Sequence, residues 1–336
     1  MVRYLRPAAL SAAALVLLMA TDGAAARSAD LALTAARAET LQLRPGVSGH
    51  LAPGSRGAAR GSGLPGAVTV LPAVPVAAVA AVVPVTVLAD PGRALLRAVP
   101  HERFAGPGFD ACSAPPLEAM RAWRASSPFG AVGIYTSGRQ RACGQPLLTA
   151  DWVRQVRALG WRLMPTHVGP QAPCSTNPHK PQKIDPAKAV QQGRDEAAEA
   201  VRGASAVGLG PGGPVYLDIE AYPTGDPVCS KAVVDFTLGW TQALHASGYW
   251  SGFYSSTESG VADLSAAVRA GAAPVPDALW YARWDGRDVT DGGGAFGDDQ
   301  WTVHQRVHQY QGEVHDTYGG VGLDIDRDEV DAVVAR

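Results

Sequence analysis

Two carboxylates, two positions apart, are the residues of this sequence best suited to chemistry. Residues 213–222 read Gly-Pro-Val-Tyr-Leu-Asp-Ile-Glu-Ala-Tyr, which is typical of a central β-strand and carries Asp218 and Glu220. Side chains alternate along a strand, so both carboxylates point to one face, with Cα atoms about 6.5–7 Å apart. We expect one of the two to have a raised pKa, because like charges at this range resist joint ionisation. A protonated carboxyl beside a carboxylate is what glycosidic bond cleavage requires.

The alternative for this pair is a structural role, with both carboxylates bound by arginine or backbone donors. A third candidate, Asp110, ends the first predicted strand, where barrel enzymes carry catalytic groups. Its own alternative is a helix cap, because it lies shortly before Ser113. We therefore predict Glu220, Asp218 and Asp110 as catalytic residues.

Acidic residues also recur on the last predicted strand. Asp324 and Asp326 point to one face of it and are predicted to bind substrate. Together with Asp328 they resemble the start of an EF-hand loop, but Glu329 stands at the glycine position and Ala335 at the final glutamate position. A calcium loop is therefore excluded, while a structural role for these carboxylates stays open.

Aromatic and polar residues of the sixth and seventh predicted strands complete the candidate site. Trp280 and Trp284 have the character of sugar-stacking residues, although aromatic residues on strands are as often part of a core. Arg283 is expected to orient one of the catalytic carboxylates by a charge-assisted hydrogen bond. Gln309 follows the seventh strand and is expected to line the same end of the fold.

Several function classes are excluded by missing motifs. The sequence has no G-x-S-x-G nucleophile elbow, no phosphate-binding G-x-x-x-x-G-K-[ST] and no H-E-x-x-H around His304 and His308. The net charge is −2 without a basic run, so nucleic acid is not an expected partner. We expect neither a cofactor nor a metal.

The elements that must position these residues alternate between β-rich and helical runs. Eight strands with intervening helices in about 230 residues match a (β/α)8 TIM barrel, so the predicted fold is an α/β, TIM-barrel-like glycoside hydrolase fold. A doubly wound sheet competes, but no G-x-G-x-x-G follows the first strand. Thr149 is expected to cap one helix and Ser230 another. The predicted strands cover 108–111, 131–136, 161–168, 215–222, 249–255, 278–284, 303–309 and 322–325.

The N-terminus indicates export. Residues 1–26 combine Arg3 and Arg6 with an apolar core and the Ala24-Ala25-Ala26 cleavage pattern, which is typical of a secretory signal peptide. Retention of the signal as an uncleaved anchor is the alternative. The protein is expected to be secreted and extracellular, and an association with the cell wall is compatible with this expectation.

Residues 27–103 are predicted to be a disordered linker, because they are rich in Ala, Gly and Pro and lack the large apolar residues of a core. The apolar stretch 67–89 has the length of a membrane helix. Pro72, Pro75 and Pro84 interrupt it, and proline in a helix interior is costly. We favour an extended tether over a membrane span, so no stable span is expected after signal cleavage. The folded domain is predicted to cover residues 104–336.

Four cysteines lie in the predicted domain, an even number in a chain with an export signal, which favours disulfides. Three pairings are possible. Each cysteine follows a predicted strand, and pairing the loops of adjacent strands gives Cys112–Cys143 and Cys174–Cys229.

These segments together resemble a known family. Residues 108–336 are similar to the glycoside-hydrolase-like domain of secreted actinobacterial proteins, and more distantly to family 25 glycoside hydrolases, the N-acetylmuramidases. In this chain the late acidic motif reads Asp-Ile-Asp, where the muramidases more often have Asp-Leu-Asn. The matching segments are Gly-Phe-Asp-Ala-Cys (108–112), Val-Gly-Ile-Tyr (132–135), Gly-Trp-Arg-Leu-Met-Pro (160–165), Val-Gly-Pro-Gln-Ala-Pro-Cys (168–174), Tyr-Leu-Asp-Ile-Glu-Ala-Tyr (216–222) and Gly-Tyr-Trp-Ser-Gly-Phe-Tyr-Ser-Ser (248–256).

The resemblance implies roles for individual residues. Glu220 would be the general acid, and Asp218 would polarise a substrate N-acetyl group that attacks the anomeric carbon. Asp110 and Asp324 would support the pair and the sugar. Two tyrosines of the matching segments, Tyr135 and Tyr254, are expected to contact substrate.

Three functions are compatible with these features. The first is a glycoside hydrolase, muramidase-like, that acts on peptidoglycan or a related N-acetylated cell-wall polysaccharide. The second is a cell-wall glycan-binding protein that uses the same cleft without catalysis. A structural envelope protein is the third and rests on the Pro/Ala-rich tether alone. A monomer is expected in each case.

Overall fold

The computed structural model describes residues 91–98 and 100–335. The predicted signal peptide, most of the predicted linker and the apolar stretch 67–89 lie outside the described residues. Within the described part of the chain, no helix is both long enough and apolar enough to cross a membrane.

Eight strands and six helices build the described part. The helices are α1 (Pro91–Ala98), α2 (Leu117–Ser126), α3 (Ala150–Ala158), α4 (Ala189–Ala206), α5 (Pro227–Ala246) and α6 (Gly260–Arg269). The strands are β1 (Glu102–Asp110), β2 (Ala131–Ser137), β3 (Arg162–His167), β4 (Pro214–Asp218), β5 (Trp250–Ser256), β6 (Ala278–Ala282), β7 (Arg306–Tyr318) and β8 (Val321–Val334).

The strands close into one barrel in chain order, which confirms the predicted fold class. Strands β1 to β7 run parallel to their sequence neighbours. Strand β8 departs from the regular pattern, because it pairs antiparallel with both β7 and β1. The barrel therefore closes through two antiparallel ladders, β7–β8 and β8–β1.

A two-residue turn explains how β7 passes directly into β8. Gly319 and Gly320 adopt φ of 57° and 80°, the left-handed conformation that a tight hairpin turn requires and glycine adopts without strain. Strand β7 is longer than predicted because the hairpin continues past the barrel and packs on α2. Strand β8 is longer because residues 326–334 continue into the barrel and pair with β1. On α2, the Trp123 indole donates to the Val321 carbonyl at 2.9 Å, so the hairpin covers the core where a regular barrel would carry another helix.

The opposite end of the barrel is covered by α1, which lies in the predicted linker. Leu96 is fully buried against Trp250 and Val333. Arg93 pairs with the buried carboxylate of Asp277 at 3.0 Å. Residues N-terminal to 104, in α1 and at the start of β1, therefore also contact the barrel.

One predicted helix cap and both predicted disulfides are confirmed, and the other predicted cap is wrong. Thr149 caps α3, as predicted, by accepting from the Trp152 amide. The cap of α5 is Asp226 rather than Ser230, because Pro227 suits the first turn and the Asp226 side chain accepts from the amides that follow it. Both predicted disulfides are present, Cys112–Cys143 and Cys174–Cys229.

Candidate active site

A cleft with two lobes opens at the carboxyl ends of the parallel strands. The first lobe, of about 290 Å³, is lined by Asp110, Tyr135, Asp218 and Asp326 among others. The second lobe, of about 460 Å³, is lined by residues that follow β5 and β6. Glu220 lines both lobes, so it stands where a ligand that occupies the whole cleft would cross from one lobe to the other.

The backbone that carries the Asp218/Glu220 pair is fixed by one buried amide. Strand β4 ends at Asp218, and Glu220 follows it outside the strand. The Gln171 side chain donates to the Asp218 carbonyl at 2.9 Å and accepts from the Glu220 amide at 2.7 Å. The intervening Ile219 amide donates to the Tyr254 carbonyl at 3.0 Å. Gln171 therefore takes the place of a neighbouring strand just where the ladder of β4 stops.

A lysine that sequence reasoning missed lies against the pair. The ammonium of Lys180 is 2.7 Å from Glu220 Oε1 and 3.8 Å from Asp218 Oδ2. Lys180 lies in the loop between β3 and α4 and is buried. No motif or spacing marks it in the sequence, because its partners lie about forty residues further along the chain.

The sequence-based expectation of one raised pKa holds at Asp218. Burial and the neighbouring Glu220 charge raise the pKa of Asp218 to about 8, against the opposing effect of Lys180. Its Oδ1 atom is buried and receives no hydrogen bond from the described residues. Asp218 thus has the character of a carboxylic acid with one oxygen buried and without a hydrogen-bond donor.

Asp110 is held by two side chains rather than by a helix. Tyr135 donates to Oδ1 and Gln309 to Oδ2, each at 2.9 Å. Helix α2 begins at Leu117, after Pro116, so Asp110 is not its cap. Burial and the Asp326 charge raise the pKa of Asp110 to about 7.

Gln309 connects the two lobes. Its NH2 group donates to Asp110 and, at 3.3 Å, to Asp326. Its carbonyl oxygen accepts from the Tyr254 hydroxyl at 3.0 Å and from the Trp284 indole at 3.1 Å. The amide therefore fixes carboxylates on one side of the cleft and aromatic residues on the other.

Three of the four aspartates of β8, Asp324, Asp326 and Asp328, lie at different depths. Asp324 is at the exposed rim, where it pairs with His315 at 2.7 Å. Asp326 lies opposite Asp110 across the β1–β8 ladder. Asp328, which sequence analysis considered only as part of a calcium loop, is fully buried and accepts from the Trp280 indole at 2.9 Å. Burial and the nearby Asp110 charge hold the pKa of Asp328 well above its usual range.

The residues predicted on strand six divide between core and cleft. Trp280 is buried with its ring edge against Tyr216 and Tyr254, so it supports the floor of the site. Trp284 is 56% exposed in the second lobe. Its ring lies over Gly312, where a Cβ atom would be 1.9 Å from the indole. One ring face is thus fixed against the backbone of β7.

Arg283 does not orient a catalytic carboxylate. Its guanidinium instead pairs with Asp285 at 3.3 Å and donates to the Gly293 carbonyl at 2.6 Å. Arg283 lines the second lobe. Within the described residues, no group of His, Cys, Asp and Glu has an arrangement that could hold a metal ion.

Comparisons with known proteins identify the kind of domain. A family model described as Rv2525c-like, glycoside hydrolase-like domain matches residues 121–330. A comparison with curated proteins gives no match.

Among solved structures, the chain is similar to the Mycobacterium tuberculosis Tat-secreted protein Rv2525c, with 15% identity, a TM-score of 0.47 and coverage of 68% of this chain and 96% of that one. An uncharacterized protein of B. stearothermophilus gives 17% identity and a TM-score of 0.43, with coverage of 67% and 95%. A muramidase from Acremonium alcalophilum gives 19% identity and a TM-score of 0.40, with coverage of 67% and 92%. Identities this low say nothing of activity.

Proposed function

The chain belongs to the Rv2525c-like, glycoside hydrolase-like family, and on that premise we propose that it hydrolyses glycosidic bonds in peptidoglycan or a related N-acetylated cell-wall glycan. The observation that carries the proposal is the position of the Asp218/Glu220 pair. Glu220 lines both lobes of an open cleft and Asp218 lines only the first. A sugar chain that runs through the cleft would place one glycosidic bond at Glu220 and the preceding ring beside Asp218.

The two carboxyl groups suit different parts of a substrate-assisted reaction. Glu220, with a side chain 36% exposed, would donate a proton to the leaving glycosidic oxygen. Asp218, which lines the first lobe, would accept the N–H of the substrate acetamido group. The acetamido oxygen would then attack the anomeric carbon as the glycosidic bond breaks. Water would open the resulting ring with Glu220 as the base, which restores the acid.

The rest of the cleft fits a sugar chain. Trp284 presents an indole face in the second lobe, and aromatic faces stack on pyranose rings through their C–H groups. Asp110, Tyr135 and Asp326 supply polar groups in the first lobe. Two disulfides in the described part suit an exported protein, which agrees with an extracellular or cell-wall location.

One observation favours a second candidate, a glycan-binding protein without catalysis. Lys180 contacts Glu220 at 2.7 Å, and an ammonium at that distance stabilises the ionised carboxylate. A site that kept this ion pair with glycan bound would hold a sugar chain without protonating it.

The test compares the disulfide-intact protein with its Glu220→Gln variant on N-acetylated and de-N-acetylated peptidoglycan at mildly acidic pH. New reducing ends are identified by mass spectrometry. We expect muramic acid at the new ends, from the N-acetylated polymer only, and a loss of about 100-fold or more in the variant. Thermal unfolding should change little, because Glu220 lies at an exposed edge of the cleft.

Glu118→Gln, an exposed change on α2, is the matched control and should cleave like the parent protein. Saturable binding to wall material without new reducing ends would favour the non-catalytic candidate instead. Equal activity in the Glu220→Gln variant would remove Glu220 from the mechanism.

A further inference from the structure

Lys180 lies closer to Glu220 than to Asp218, so it stabilises a negative charge on Glu220 more strongly. Its ammonium lies 2.7 Å from Glu220 Oε1 but 3.8 Å from Asp218 Oδ2. A charge-assisted hydrogen bond forms at the shorter distance and not at the longer one. The lysine side chain is only 8% exposed, so water screens this attraction weakly. The contact therefore places the negative charge of the pair on Glu220.

The surroundings of Asp218 favour the proton there. Its side chain is 6% exposed, and no described residue donates to Oδ1. An ionised carboxylate with a buried oxygen that lacks a donor is costly. The direction of the pKa agrees, since burial and the Glu220 charge raise the pKa of Asp218 to about 8.

The loop that carries Lys180 is fixed at several points. Gln140 donates to the carbonyls of Gly169 and Gln182 at 2.7 and 3.0 Å. The disulfide Cys174–Cys229 ties the same loop to α5. The backbone of this loop is therefore fixed, and it holds the Lys180 side chain beside the pair.

The inference that follows rests on the proposed function, because it concerns the proton that Glu220 would donate. We propose that Lys180 is a positioning residue that keeps the free cleft in a resting proton arrangement, with the charge on Glu220 and the proton on Asp218. Cleavage then requires the opposite arrangement. When a bound sugar separates Lys180 from Glu220, one proton moves from Asp218 to Glu220 and the total charge of the pair is unchanged. Glu220 becomes the acid, and Asp218 becomes the carboxylate that accepts the acetamido N–H.

Among the described contacts, Lys180 is the cation at hydrogen-bond distance from Glu220, and no second one is found there. Arg141 lines the first lobe, but its guanidinium donates to the carbonyls of Gly138 and Tyr135. Arg283 lines the second lobe together with Glu220, but its guanidinium pairs with Asp285 and donates to the Gly293 carbonyl. The other groups that face the pair are acids and phenols: Asp110, Tyr135, Tyr254, Glu258, Asp285, Glu313, Asp324 and Asp326. They disfavour a second negative charge, which strengthens the dependence on Lys180.

The first experiment observes the proton directly. The full chain, with disulfides intact and aspartate carboxyl carbons labelled with ¹³C, is titrated by NMR, and the Asp218 signal is identified by its loss in Asp218→Asn. We expect Asp218 to be protonated at pH 6 in the parent protein. In Lys180→Met the proton should be shared with Glu220, so the Asp218 signal at pH 6 should move part of the way towards that of a carboxylate. Lys180→Arg keeps the charge and should titrate like the parent protein. An Asp218 that is ionised at pH 6, or that titrates identically in Lys180→Met, would overturn the proposal.

The second experiment follows cleavage of N-acetylated peptidoglycan between pH 4 and 9. Without the ammonium the carboxyl pair keeps its proton to higher pH. Lys180→Met should therefore extend cleavage on the alkaline side and be several-fold faster than the parent at pH 7.5, while Lys180→Arg keeps the parental profile. A folded Lys180→Met protein whose rate falls by one factor at every pH would assign Lys180 a merely structural role and overturn the proposal.

The two experiments separate the inference from the proposed function. A parent protein that releases no reducing ends refutes the proposed hydrolysis, and the NMR titration still decides the resting arrangement. An active parent with an ionised Asp218 refutes the inference alone.

Discussion

Buried carboxyl groups dominate the cleft at the scale of single residues. Asp110, Asp218 and Asp328 are each almost fully buried, and burial is the first cause of the raised pKa of each. Since burial disfavours the ionised form of a carboxyl group, these residues lower the stability of the fold at neutral pH. Their placement around one cleft is typical of a functional site.

A pH dependence of stability follows for Asp110. An unfolded aspartate ionises near pH 4, whereas the pKa of Asp110 in the folded chain is raised to about 7. Between these values the folded chain holds a proton that the unfolded chain has lost, so the free energy of unfolding falls as pH rises. Asp110→Asn should reduce the fall between pH 4 and 8 by an amount on the order of 4 kcal/mol.

Urea unfolding at pH 4, 6 and 8 measures this slope, and comparing slopes cancels any constant cost of the substitution. Asp195→Asn, at an exposed site on α4, is the control and should keep the parental slope. An Asp110→Asn protein with the parental slope would show that Asp110 is ionised in the fold.

At the scale of elements, the loop between β3 and α4 contacts the Asp218/Glu220 pair in two ways. Gln171 fixes the backbone of the pair, and Lys180 contacts its side chains. Both residues come from one loop that a disulfide ties to α5. The loop is therefore a structural part of the site rather than a connection between elements.

Replacing the buried amide tests this role. In Gln171→Met the Asp218 carbonyl and the Glu220 amide lose their partner, and each unsatisfied buried group costs about 1–3 kcal/mol. We expect a lower free energy of unfolding by urea, together with slower release of reducing ends, because the pair loses its fixed geometry. Gln191→Met, an exposed change on α4, should alter neither. Unchanged unfolding and cleavage in Gln171→Met would mean that the strand ends hold the pair without help.

The sequence predicted those elements whose signal is local. Alternation of strands and helices identified the barrel, and the Asp218/Glu220 strand stood out because its carboxylates interrupt an apolar run. Lys180 and Asp328 could not be recognised, because each contacts a residue that is distant in sequence and comes near only in the folded barrel. Lys180 contacts Glu220, and Asp328 accepts from the Trp280 indole. The length of β7 and β8 was missed for a related reason. The outer half of β7 is polar and is held by pairing with β8 and by the packing of the hairpin on α2. The missed half of β8, residues 326–334, pairs with β1 only when the barrel closes.

At the scale of the whole molecule, the cleft lies at one end of the barrel and α1 covers the other end. The covering helix was not predicted, because eight residues between a Pro/Ala-rich stretch and β1 carry too short a pattern to be separated from a linker. Its contacts are specific nonetheless. Asp277, 1% exposed, binds His245 at 2.7 Å, the Ser251 amide at 3.0 Å and Arg93 at 3.0 Å.

The contribution of α1 can be measured with one buried residue. Leu96→Ala removes a side chain that is fully buried against Trp250 and Val333, and such truncations cost about 2–5 kcal/mol. We expect a lower midpoint of thermal unfolding in the full chain, while Ala94→Ser, at an exposed position of the same helix, should leave it unchanged. A chain that begins at residue 104 should be less stable still, since it also loses the Arg93–Asp277 ion pair and the first residues of β1. If both altered chains unfold at the parental temperature, α1 contributes nothing to the barrel and the folded domain begins at β1. If they unfold earlier, α1 is part of the fold, and the folded domain begins with the helix that covers the end of the barrel opposite the cleft.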